Sequence, residues 1–142
     1  MTKLDPIVLA QKAAAVRRHL ARVAARLPAD AADLKPATDP SDAVILHLWQ
    51  ATQIVIDVAT ATCVQLNLGY PANYADAFRV LERQDVIESA LSARLIRAAG
   101  FRNVVAHAYD TLDMARIHAA ALNGPVDLLA LIAAVEKRVS TP

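Results

Sequence analysis

Ile45, Leu48, Thr52, Val55, Ala59, Thr62 and Leu66 recur at alternating spacings of three and four. That period sets them on one seam of an α-helix, facing a helical partner. Val44, Ala51, Ile54, Val58 and Ala61 make a second apolar flank, and Gln50, Gln53, Asp57 and Thr60 form the remaining polar stripe. A helix apolar over more than half its circumference needs two neighbours. In a small bundle the second neighbour can be another copy of the chain, so the pattern predicts a homodimer. The competing reading is that one bundle covers both flanks.

The punctuation around this helix predicts the other elements. Asp5-Pro6 sets a cap residue before a proline at the first helical position. The helix it opens runs to about Leu27, where Pro28 stops it. Residues 28 to 40, with Pro28, Pro36 and Pro40, read as a linker. The long apolar helix starts with the same device, Asp39 as cap, Pro40 first and Asp42 in the first turn. It ends near Leu68, before Gly69-Tyr70-Pro71. Asn73 caps a short helix through Arg83. Asp85 and Glu88 stand three apart like a capping box and open a helix that reaches about His107. After a turn near Tyr109-Asp110, a helix runs from roughly Thr111 to Leu122 and breaks at Asn123-Gly124-Pro125. A last helix ends near Val139.

Composition narrows the class to an all-α bundle of about four to six helices, with residues 1–142 as a single domain. Alanine makes up about a fifth of the 142 residues, and there are three glycines. That favours helix over strand and leaves no glycine-rich phosphate loop. Cys63 is the sole cysteine, which excludes a disulfide framework and a CxxC zinc site and fits a reducing compartment. The opening MTKLDPIVLAQK lacks the apolar core of a secretory signal. The most apolar stretch, Ala43 to Gly69, carries His47, Gln50, Gln53 and Asp57, which are expensive in lipid. A buried helix of a cytoplasmic protein is expected there, with no membrane partner. The formal charge is +1, so any nucleic-acid contact must come from a local cluster.

One segment departs from this generic pattern. Gly100-Phe101-Arg102-Asn103-Val104-Val105-Ala106-His107-Ala108-Tyr109 gathers Arg, Asn, His and Tyr at the end of an apolar helix. Arginine can grip a phosphate and neutralise charge gained in a pentacovalent transition state. Histidine can take a proton from a ribose 2′-hydroxyl or give one to a leaving oxygen. Asn103 and His107 share a helix face. Arg102 and His107 lie about 140° apart around an ideal helix. They converge only if the helix unwinds before His107, or if a second protomer completes the site. Spacing alone leaves open that Arg102 and His107 merely cap helix carbonyls.

Arg102-x4-His107-x-Tyr109, preceded by Ala99-Gly100-Phe101 and followed by Asp113, resembles the HepT toxins of the HEPN superfamily. The stretch from Tyr70 to Leu81, with Pro71, Tyr74 and Phe78, is similar to that family's upstream segment, as are Asp85-Val86-Ile87 and Gln50-x6-Asp57. The likeness covers about residues 40 to 139. The interruption at Leu122-Asn123-Gly124-Pro125 departs from the more continuous C-terminal helix of the family. The resemblance implies a HEPN-type helical bundle, a two-fold dimer and a metal-independent ribonuclease used as a toxin on an RNA substrate. It also implies a partner, an MntA-type nucleotidyltransferase antitoxin of a type VII pair, which transfers AMP to the motif tyrosine. By that likeness Arg102 and His107 are the catalytic pair, Asn103 supports them, Tyr109 is the modification target and Asp57 lies near the cleft.

The remaining polar and aromatic residues carry plainer readings. Asp57 fits equally well as a solvated carboxylate. His19 and His47 read as packed or surface histidines. His118, on the helix after the motif, either approaches the site or stays clear of it, with the second reading preferred. No metal site or cofactor is expected. Trp49, Phe78 and Phe101 read as core. Arg17, Arg18, Arg22 and Arg26 form a solvated face or an RNA contact. Three function classes stay open: the toxin ribonuclease, a catalytically silent helical module that binds RNA or nucleotide, and a structural partner of a nucleotidyltransferase.

Overall fold

The computed structural model describes residues 4–140. Five α-helices follow one another among these residues: α1 (Pro6–Arg26), α2 (Asp39–Gln65), α3 (Tyr74–Arg83), α4 (Ser89–His107) and α5 (Met114–Ser140). Short 3₁₀ turns at Ala31–Asp33 and Tyr109–Thr111 lie in the connections. The described residues contain no strand.

Capping chemistry explains where most helices start and stop. The Asp5 side chain accepts from the Val8 amide at 2.8 Å and opens α1, and Asn73 accepts from Asp76 at 2.8 Å and opens α3. At α2 the expected cap shifts by one residue. Thr38 is the N-cap and accepts from Ser41, while Asp39 is already helical and adds its charge to the first turn. The helix stops at Gln65, short of Leu68, because Asn67 adopts φ 59° and the Leu68 amide reaches back to the Cys63 carbonyl.

The capping box read at Asp85 and Glu88 does not form. Asp85 has φ 58°, the left-handed conformation that ends a helix, and the Val86 amide bonds the Leu81 carbonyl. Asp85 therefore closes α3, and Glu88 precedes α4 without a side-chain cap bond.

The expected break at Asn123-Gly124-Pro125 is also absent, for α5 runs unbroken with Pro125 inside it. Proline removes one amide and crowds the carbonyl four residues back, at Ala121. The helix survives because it is anchored on both sides of the defect. Ile117, His118 and Ala121 are buried before it, and Leu128, Leu131, Ile132 and Val135 after it. Packing, not propensity, holds a helix of this kind together. Pro125→Ala restores the missing bond and is expected to raise stability by about 1–3 kcal/mol. The check is a higher urea midpoint at unchanged m-value.

α2 is the central element, packed against α1, α3, α4 and α5. Its seam residues Ile45, Leu48, Thr52, Val55, Ala59 and Thr62 are buried, and so are Val44, Ala51 and Val58 of the second flank. Both flanks are thus covered within one chain, and the two-flank pattern by itself no longer calls for a second copy. Both α2 and α5 are long and apolar enough to cross a membrane by length and composition only. In α2 that apolarity is spent on the bundle core, where its twelve buried residues lie.

Candidate functional site

Arg102 lies on the inward face of α4, in register with the buried Leu91, Leu95 and Ala99. A guanidinium there needs partners, and three segments supply them. Its Nε donates to Gln53 Oε1 of α2 at 2.7 Å. Its Nη1 donates to the Tyr74 hydroxyl of α3 at 2.8 Å and to the Asn103 side-chain oxygen at 3.1 Å. The guanidinium carbon stands 5.4 Å from the centre of the Trp49 ring and 5.2 Å from that of Tyr74. Cation–π attraction to both rings adds to the hydrogen bonds. Gln53 in turn donates to Asp57 Oδ1 at 2.9 Å, so the exposed carboxylate of Asp57 orients the amide that orients the arginine.

Three of the five guanidinium donors are thereby held. The two on Nη2 have no partner among the described residues, and they are the ones that can meet an anion. The planar fork grips the protein through two of its three nitrogens. It is not free for a two-pronged grip on phosphate.

α4 stays helical through His107. The imidazole is exposed and makes no side-chain hydrogen bond among the described residues. The first condition for bringing Arg102 and His107 together, unwinding before the histidine, is therefore not met within one chain. Val104, one turn earlier on the His107 face, is 52% exposed.

Beyond α4, the Tyr109 hydroxyl donates to Asp42 Oδ1 of α2 at 2.7 Å. The phenol contacts Asp42 and not His107. The hydrogen bond to Asp42, then burial, then the charges of Asp42 and Asp110 raise its pKa above the ordinary value. Tyr109 is 47% exposed and, with Leu46, Trp49 and Val105, lines a depression of about 390 Å³.

Of the residues singled out in the sequence, Arg102, Asn103 and Asp57 thus belong to one hydrogen-bonded chain, while His107 and Tyr109 stand apart from it. Trp49, Gln53 and Tyr74 hold the arginine, although the pattern read Trp49 as core. His118 bonds the Pro28 carbonyl at 2.8 Å, away from the motif. Burial pushes the Cys63 thiol up to about 11, with the charge of Asp76 adding to it, so Cys63 is an inert core group. Among the described residues no three His, Cys, Asp or Glu side chains are grouped to hold a metal ion.

A family model described as ribonuclease HepT-like matches residues 16–135. The chain is 29% identical over 107 residues to the mRNA nuclease HepT of Shewanella oneidensis, covering 75% of this chain and 80% of that one. Its fold is similar to that of a toxin–antitoxin complex crystallised with AMP-PNP, at a TM-score of 0.82 and 25% identity over 93% of this chain and 99% of that one. It is also similar to the tri-AMPylated Shewanella oneidensis HEPN toxin in complex with the MNT antitoxin. There the TM-score is 0.83 and the identity 25%, over 94% of this chain and 99% of that one.

Proposed function

Because the chain belongs to the HepT-like ribonuclease family, we propose that it is the toxin of a type VII toxin–antitoxin pair. In this reading it is a metal-independent endoribonuclease, silenced when an MntA-type nucleotidyltransferase adds AMP to Tyr109. The observation that carries the ribonuclease reading is the caged guanidinium of Arg102, fixed on three donors and with Nη2 unpaired among the described residues. A preorganised cation with unspent donors stabilises charge that develops in a transition state without reorganising. Similarity to a protein named as an mRNA nuclease supports RNA as the substrate.

Arg102 holds the scissile phosphate and neutralises the pentacovalent intermediate. The ribose 2′-oxygen attacks phosphorus, the bond to the 5′-oxygen breaks, and His107 accepts the 2′ proton or protonates the leaving oxygen. The products carry a 2′,3′-cyclic phosphate and a 5′-hydroxyl. Asn103, Gln53 and Asp57 act through Arg102 as positioning residues.

The direction of the two side chains favours a site shared by two copies of the chain. Arg102 and His107 project about 140° apart on a regular helix, so they address one phosphate only when a second copy presents its own α4. Val104 beside His107, and Leu46 beside Tyr109, supply exposed apolar surface for that dimer. The competing reading, a silent binding module, would also use Nη2 for a phosphate but gives the exposed imidazole no proton to move. Similarity to an mRNA nuclease favours the ribonuclease.

Mixing two inactive variants tests the arrangement. Arg102→Lys cannot make the three cage bonds or stack its charge between two rings, and His107→Ala lacks the proton carrier. Each alone is expected to be nearly inactive. Random exchange of protomers then restores about a quarter of the wild-type rate, because two-fold symmetry leaves one of the two sites intact in each mixed dimer. Absence of rescue in verified mixed dimers would sink the shared site.

A further inference from the structure

Arg18, Arg22 and Arg26 stand four residues apart on α1, and all three are exposed. They form a straight row with steps of about 6 Å. Arg17 beside them is paired with Glu136 at 3.6 Å, but among the described residues no carboxylate pairs with any member of the row. Like charges at this spacing repel, and only Arg26, in the last turn of α1, gains from the helix dipole in return.

Arg22 and Arg26 also form one wall of a groove of about 370 Å³, with Ala25 and Ala43 as its floor and His47 of α2 opposite. His47 Nδ1 lies 3.0 Å from Nδ1 of His19. Burial, His47 and the charges of Arg18 and Arg22 lower the His19 pKa, and burial and Arg22 lower that of His47. Both rings therefore stay neutral at physiological pH, and His47 offers the groove an aromatic edge and not a further charge.

The groove sits on the helix that also holds the arginine cage. His47 is about 120° around α2 from Gln53, so a strand laid across the N-terminal half of α2 passes from one to the other. Asp42 at that end is engaged by Tyr109, and Asp39, one turn before Ala43, makes no ion pair with the row.

We infer that Arg18, Arg22, Arg26 and the His47 groove form a second phosphate-binding track for the RNA strand that flanks the scissile phosphate. The inference takes its substrate from the ribonuclease reading above. A regular file of guanidiniums matches a polymer that repeats one anion per unit. An acidic protein partner fits less well, because protein interfaces centre on apolar side chains and none of the chain's exposed large hydrophobics lines this groove.

The test measures binding of a labelled single-stranded RNA oligonucleotide by the full chain in a His107→Ala background, with and without Arg22→Gln/Arg26→Gln. The double variant is expected to weaken binding about tenfold and to lower the slope of log K against log salt by roughly 1.4, two phosphates at about 0.7 each. Arg116→Gln/Arg138→Gln, an equal loss of charge on α5, should leave both unchanged. Equal weakening by both double variants, or unchanged RNA binding in Arg22→Gln/Arg26→Gln, overturns the track. So does loss of nucleotidyltransferase binding with RNA binding intact, which reassigns the row to a protein partner. A wild-type chain that binds RNA through the row yet cuts none upholds the track and refutes the ribonuclease reading alone.

Discussion

His107→Ala will fold as the wild type does and cleave RNA about 10²–10⁴-fold more slowly, the range lost with a general acid or base. The fold is safe because His107 is exposed at the last turn of α4 and its side chain makes no hydrogen bond among the described residues. The rate is not, because no other titratable side chain on the His107 face can take its place: Val104, one turn before, is aliphatic. Far-ultraviolet circular dichroism and the melting temperature check the first half. Quantified cleavage of a labelled RNA, with end-group analysis for 2′,3′-cyclic phosphate, checks the second. Wild-type cleavage should persist in EDTA. Chelator-sensitive cleavage, or full activity in the variant, would rule out the mechanism.

Modification of Tyr109 is the second large effect. With the nucleotidyltransferase partner and ATP, intact mass should rise by one or more AMP units, and cleavage should fall to background. Tyr109→Phe should gain no mass and keep its activity in the presence of the partner. The phenol oxygen attacks the α-phosphorus, pyrophosphate leaves, and the phenolic proton must go to a base. Asp42 Oδ1, 2.7 Å away, is the acceptor already in contact, and its bond keeps the phenol protonated until transfer. Once AMP is attached, the donor is gone and a phosphodiester anion faces the Asp42 carboxylate. Like charges at that distance repel, so the side chain swings off α2 carrying a bulky anion that can compete for the Arg102 Nη2 donors. Equal labelling of Tyr109→Phe, or normal cleavage by the labelled protein, refutes the switch.

Most of the helices were legible because their signals are local. Asp5-Pro6 and Asn73 cap the helices they announce. The α2 seam is buried as its spacing requires. The errors fall where a local signal has two uses or where packing outweighs it. Asp85 resembles an N-cap in sequence, but it can equally take the left-handed conformation, and here it ends α3. Pro125 reads as a break, yet buried residues on both sides carry α5 through it. Arg102 stood out by its motif, whereas its cage did not, since Gln53 is 49 residues away and Tyr74 is 28. One clue was available. Arg102 shares a register with Leu91, Leu95 and Ala99, and a cation in a core-facing row must be met by polar or aromatic groups from neighbouring helices.

The cage around Arg102 also has an entropic side. A free arginine side chain carries about 2 kcal/mol of rotamer freedom, and here that freedom is surrendered when the bundle folds, before any RNA arrives. The ordering is charged to folding and not to turnover. Loosening the cage from the Gln53 or Tyr74 side should then cost the fold little, while the freed guanidinium must be ordered again at each catalytic cycle.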